Sequence, residues 1–225
     1  MRKLCSVLLL FIAVNLLSAQ QATDTIRKFD FGIHSGINIS NFTEDADFEN
    51  RVGLNTGFYA TYHIPESNFA LRSGLTYSQQ GVKTSGRTPS PLSEGFREYE
   101  AIAKLDYLQV PVFLQYNFSD NYGIYLGPQI SFLVNNKFEY DYNEEVFDSQ
   151  VFRYEDKLEN VHNTSLSAVL GARVFVYKSL FVQAQYELGL YSIFNDDEVP
   201  QDSNRIFSFK DFRHSVFTFT LGYQL

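Results

Sequence analysis

Phe217-Thr218-Phe219-Thr220-Leu221-Gly222-Tyr223-Gln224-Leu225 alternates a large apolar side chain with a small or polar one. In an extended strand successive side chains point to opposite faces, so this stretch has one greasy face and one that is not. An apolar residue stands last, and the alternation runs up to it. That pattern predicts a strand that meets lipid on one side.

Seven more stretches share the period of two: Phe29 to Ser40, Val52 to Ile64, Phe69 to Gln80, Leu105 to Phe118, Tyr122 to Val134, Ser165 to Tyr177 and Leu180 to Tyr191. In the fourth, Leu108, Val110, Val112 and Leu114 oppose Gln109, Phe113, Gln115 and Asn117. With Arg213 to Leu225 there are eight, each near the roughly 9–11 residues that a tilted transmembrane strand requires. Pro65-Glu66-Ser67-Asn68, Ser119-Asp120-Asn121 and Lys178-Ser179 read as tight turns, whereas 41–51, 81–104, 135–164 and 192–212 read as long loops. Short and long links alternate along the chain, as in an up-and-down membrane barrel. An open sheet edge in hydrocarbon would leave N–H and C=O groups unpaired, so the sheet must close. The sequence therefore predicts an all-β fold: an eight-stranded antiparallel up-and-down transmembrane β-barrel with short periplasmic turns and long extracellular loops, spanning residues 20–225. Its non-greasy face carries Gly, Gln, Ser, Thr, Arg and Glu, which is too polar and too small for the dry core of a soluble barrel.

Residues 1–19 read as a signal peptide, with Arg2 and Lys3, an apolar core from Val7 to Leu17, and Ser18-Ala19 before Gln20. The one cysteine, Cys5, precedes that core, so the mature chain is expected to hold no thiol and no disulfide. The full chain carries a charge of −8, and without Arg2 and Lys3 the balance is 16 basic against 26 acidic residues, or −10. Such acidity argues against nucleic acid as a partner. Mean hydropathy is slightly negative, as expected when only alternate residues meet lipid. Aromatics make up 16 % with no Trp, so Tyr and Phe must form any interfacial girdle.

Pro111 and Pro128 fall inside the fourth and fifth segments, where a missing N–H predicts a bulge or a skipped hydrogen bond. The surrounding residues carry a resemblance. Tyr107-Leu108-Gln109-Val110-Pro111-Val112 followed by Tyr125-Leu126-Gly127-Pro128-Gln129-Ile130-Ser131 resembles the paired signature of the Bacteroidetes PorT-like outer-membrane β-barrel family. Phe31-Gly32-Ile33-His34-Ser35-Gly36 and Leu221-Gly222-Tyr223 are similar too. The resemblance implies a small eight-stranded, porin-family barrel in the outer membrane of a Gram-negative cell envelope. It also raises membership of a secretion or gliding apparatus, and it brings no catalytic motif.

Chemistry is sparse. His34 and His214 share the inward parity but are expected to lie about 15 Å apart at about 3.3 Å per residue, too far for a shared metal. His63 belongs at the periplasmic rim. His162, near Asp156, Glu159 and Ser165, has the composition of a His–Ser–carboxylate set. No phosphate loop or spaced metal motif is present, so neither cofactor nor metal is expected. Arg72, Arg173 and Glu187 point inward and suggest a lumen charge network that packs the barrel rather than lining a pore.

The loop after the fifth segment is the most informative external feature. Phe138, Tyr140 and Tyr142 continue that segment's outward parity, and Phe152 and Tyr154 share that of the sixth, which predicts a protruding hairpin with an aromatic stripe and its tip at Asp148 and Ser149. The leading expectation is a non-catalytic structural or binding protein, adhesive through that hairpin. The alternatives are a component of a secretion or gliding apparatus and an outer-membrane-embedded enzyme using His162. Expected partners are outer-membrane lipid and lipopolysaccharide, the barrel-assembly machinery during insertion, and an envelope or extracellular protein.

Overall fold

A computed structural model of the chain describes residues 28–43, 48–89, 96–144, 151–158, 161–194 and 212–225. The expected leader with Cys5, the expected hairpin tip at Asp148 and Ser149, and Glu159 lie outside those residues.

The described residues form nine strands: β1 (Phe29–Phe42), β2 (Glu49–His63), β3 (Phe69–Pro89), β4 (Phe96–Ser119), β5 (Tyr122–Glu144), β6 (Val151–Asp156), β7 (Thr164–Tyr177), β8 (Leu180–Gly189) and β9 (His214–Gln224). All pair antiparallel, in the order β4-β3-β2-β1-β9-β8-β7-β5-β6, and a further β4–β5 pairing closes a ring of eight. The ninth strand is not a wall strand of its own. β7 pairs with residues 122–132 of β5 and β6 with residues 138–143, so the two share one position in the wall, β6 further from the short turns. The ring closes where Ile37 of β1 meets Phe219 of β9.

Side-chain period sets the two faces. Phe31, Ile33, Phe58, Val112, Leu126 and Phe219 are about half exposed on the outside, although they are large and apolar. Lipid is the solvent that makes such a face stable. Near the short turns this belt turns aromatic, with Phe29 against Tyr62 at 4.9 Å and Phe69 against Tyr116 at 5.0 Å between ring centres. In the turns themselves Glu66 and Lys178 take left-handed backbone (φ 56° and 40°).

The inward face is bulkier than the sequence suggests. Tyr59, Tyr107, Phe113, Tyr125 and Phe181 all point inward and are at most 4 % exposed. Glycines make the room: Tyr59 faces Gly32, Tyr125 faces Gly171 and Phe181 faces Gly222 directly across the ladder, each ring lying where a β-carbon would sit. The lumen is thus filled, and the cavity beside His34, Arg72 and Gln109 has a volume of about 20 Å³, room for about one water.

Pro111 and Pro128 interrupt the ladder without shifting it. Between β3 and β4 the pairing lapses from Ser73↔Val112 to Thr76↔Gln109, and between β4 and β5 from Pro111↔Gln129 to Leu114↔Leu126, with the register kept on either side. Skipped pairing, not a bulge, absorbs both prolines. The Ser73 hydroxyl donates to the Pro111 carbonyl at 2.7 Å.

One expected loop is corrected. Residues 81–89 and 96–104 are not a flexible loop: β3 and β4 continue in register from Gly81↔Lys104 to Pro89↔Phe96. On β3 that continuation alternates Lys83, Ser85 and Arg87 with Thr84, Gly86 and Thr88, two sets that carry no apolar signal. Of the link 192–212, Ile193, Phe194 and Phe212 are buried with Phe42, Val82 and Leu105 in an apolar cluster over the barrel mouth. Ile193 N donates to Phe212 O at 2.8 Å, which pins the two ends of that link together.

Candidate docking surface and lumen charge layers

The inward charges lie where the alternation puts them, at most 4 % exposed, yet they form two separate layers instead of one ion-pair network. Glu187 accepts from Ser167 Oγ at 2.8 Å, from Gln109 Nε2 at 3.2 Å and from Gln80 Nε2 at 3.2 Å. Amide and hydroxyl donors, not a cation, hold this carboxylate. The arginines form the second layer. Arg72 donates to Gln183 Oε1 at 2.7 Å and lies 4.1 Å over the Tyr59 ring, while Arg173 lies 5.8 Å from the same ring and 5.4 Å from that of Phe181. Ring faces attract a desolvated guanidinium, and here they surround both. The layers pack and polarise the lumen.

Among the described residues no histidine is brought into a catalytic set. His34 stands opposite Gly222, eight residues from His214 on β9, so about 26 Å separates them at about 3.3 Å per residue, further than the sequence suggested. His214 is buried under Phe42 and meets the Tyr107 hydroxyl at 2.9 Å. His63 sits at the rim of the short turns, 2.6 Å from Asp30 Oδ2. His162 is exposed, and among the described residues its ring bonds neither Asp156 nor Ser165. The Asp156 carboxylate instead accepts from the Tyr154 hydroxyl and the Lys157 backbone N–H.

Beyond the barrel mouth β3, β4, β5 and β6 continue as a four-stranded sheet. The 24 residues of β4 rise about 55 Å at about 3.3 Å each and a 45° tilt, against a hydrocarbon core of about 30 Å. This sheet therefore projects from the membrane. Its hairpin and its aromatic residues lie where the sequence places them along the chain, but the face is the opposite one. Asp106 pairs with Asn135 while Tyr107 pairs with Leu133, so Val134 is an extra residue that reverses the parity of β5 beyond it. Asp106 marks the irregularity, accepting from the Tyr77 hydroxyl at 2.9 Å and Asn135 Nδ2 at 3.1 Å.

Phe138, Tyr140 and Tyr142 consequently lie opposite Ala103, Ala101 and Tyr99 on the lumen side of the wall, with Phe152 and Tyr154 beside them on β6. One cross-strand row reads Gly86, Tyr99, Tyr142, Phe152. Tyr142 stacks on Phe152 at 5.1 Å and Tyr99 on Tyr140 at 6.0 Å. Phe152 and Tyr154 remain 38 % and 58 % exposed, so the stripe is open at its β6 end.

The other face of the sheet is a lattice of ion pairs: Lys83 with Glu100 at 2.9 Å, Lys104 with Glu139 at 2.6 Å, Lys137 with Glu155 at 2.8 Å and Arg153 with Asp141 at 3.0 Å. The Arg153 guanidinium, hydrogen-bonded to Asp141, holds that carboxyl below its ordinary range, and the Lys104 ammonium does the same to Glu139. Exposed pairs of this kind add little stability singly. They do give the face a fixed order of signs.

A closed, lipid-faced ring with a packed lumen and an external sheet defines a small outer-membrane barrel. The chain belongs to the outer membrane protein beta-barrel domain family, whose model matches residues 18–195. Among solved structures it is similar to Ail, the attachment invasion locus protein of Yersinia pestis, in complex with the heparin analogue sucrose octasulfate, at 12 % identity over 88 % of this chain and 97 % of that one, with a TM-score of 0.42. Neisserial surface protein A matches at 11 % identity over 88 % and 97 %, with a TM-score of 0.40. The N-terminal β-barrel domain of Pseudomonas aeruginosa OprF matches at 6 % over 86 % and 97 %, with a TM-score of 0.33. No curated protein matches the chain.

Proposed function

We propose that this outer-membrane barrel is a non-catalytic surface protein whose projecting sheet docks another protein. One observation carries the reading: β6 pairs with β5 alone among the described residues, leaving a strand edge open beside the exposed rings of Phe152 and Tyr154. An open edge offers main-chain hydrogen bonds and the rings offer specificity. Export through a leader cleaved after Ala19, contact with lipopolysaccharide and insertion by the barrel-assembly machinery accompany this reading. Placement among the PorT-like barrels of Bacteroidetes rests on the paired proline signature, and a role in a secretion apparatus would follow from that placement alone.

The test removes the sheet and keeps the barrel. Tight turns replacing residues 84–101 and 138–156 should leave a heat-modifiable barrel in the outer membrane. Cells displaying that variant should lose attachment to protein-coated surfaces and to other cells. Attachment equal to that of the full chain would refute the docking role.

A further inference from the structure

We infer that the projecting sheet pairs with a second copy of itself, β6 against β6, joining two barrels that face each other from opposed membranes. The inference rests on the docking role of the sheet and names its partner.

The order of charges on β6 points to this occupant. Arg153 and Glu155 lie on the ion-pair face, with Tyr154 between them on the aromatic face. Two copies of one strand related by a two-fold axis normal to the sheet pair antiparallel and keep each face on its own side. Such a pairing must centre on a residue. Centred on Arg153 it would set arginine against arginine, and centred on Glu155 it would set glutamate against glutamate. Only the register centred on Tyr154 places Arg153 of each copy opposite Glu155 of the other. Opposite charges directly across a strand pair are favourable and like charges are not.

The neighbouring residues extend the match. Asp141, Arg153 and the second copy's Glu155 then lie in one row across the joint, ended by that copy's Glu139, and its Lys137 contacts both of those glutamates. Arg153 uses Nε and Nη2 on Asp141, and Glu155 uses Oε2 on Lys137, so Arg153 Nη1 and Glu155 Oε1 remain for the partner copy. On the aromatic face the Tyr140–Tyr154 row of one copy runs into that of the other. The orientation also follows. β6 runs back toward its own membrane, so an antiparallel copy runs the opposite way and its barrel lies at the far end. A six-residue edge is well short of a standard interface, and many copies on each surface would supply the avidity.

The experiment uses the purified full-length mature chain in phospholipid vesicles, with clustering read by light scattering. Wild-type vesicles should cluster. Arg153→Glu vesicles and Glu155→Arg vesicles should each fail to cluster alone, because each then opposes like charges. Mixed together, those two populations should cluster again, since every crossing becomes Glu against Arg. Heat-modifiability confirms that each variant is folded, and the recovery on mixing excludes a folding defect as the cause of the loss. Dispersed wild-type vesicles, or single variants that cluster as the wild type does, would overturn the inference. Dispersal would leave the docking role itself standing, to be judged by attachment of cells to foreign surfaces.

Discussion

Tyr125 lies directly across the ladder from Gly171, and its ring occupies the space that a β-carbon on residue 171 would fill. The hydroxyl of the same tyrosine donates to Gln185 Oε1 at 3.0 Å, so the ring is held at both ends. Gly32 with Tyr59 and Gly222 with Phe181 repeat the relationship around the lumen. The inward glycines of this chain are thus seats for aromatic rings, which is how a narrow barrel accommodates them.

Gly171→Val should displace the Tyr125 ring and destabilise the barrel by about 1–3 kcal/mol, the usual cost of overpacking. Urea unfolding in phospholipid vesicles measures it. A variant as stable as the parent would show that the ring moves without penalty.

Glu187→Leu leaves the donors on Ser167, Gln80 and Gln109 unmet, at about 1–3 kcal/mol for each one that finds no other partner. Glu187→Gln retains an acceptor and should cost less. The same unfolding measurement ranks the two, and equal stabilities would show that water replaces the carboxylate.

Val112 faces outward on β4 at 53 % exposure, in the belt that meets lipid. Val112→Arg should cost about 2–4 kcal/mol if that position lies at mid-membrane. Tyr154→Arg, on the projecting sheet, should leave stability unchanged. Equal effects would mean that the membrane does not end below the sheet.

Asp141 gives the projecting sheet a pH dependence of known sign. Its carboxyl is held below the ordinary range by Arg153, so the pairing is complete above ordinary carboxylate values (about pH 4). It is lost as pH falls from there through the depressed value. Carbon NMR titration of the Asp141 carboxyl should show the depression, and Arg153→Gln should remove it. An unchanged titration in that variant would rule out the guanidinium as the cause.

How much was legible in the sequence differs sharply between the two sides of the membrane. Within the lipid every strand had to set apolar residues against others, so Phe217 to Leu225, the strand limits near the short turns and the inward placement of Arg72, Arg173 and Glu187 could all be read from a period of two. Outside it that constraint vanishes. Lys83, Ser85 and Arg87 alternate with Thr84, Gly86 and Thr88, both polar sets, so the continuation of β3 left no signal and read as a loop.

The sequence by itself determined which side chains meet lipid, because hydrocarbon tolerates only one pattern of alternation. The tertiary structure alone decided which way the aromatic stripe faces. Val134 shifts every side chain beyond it on β5 to the other face, and a one-residue slip leaves no trace in composition or period until a strand has a partner to be counted against.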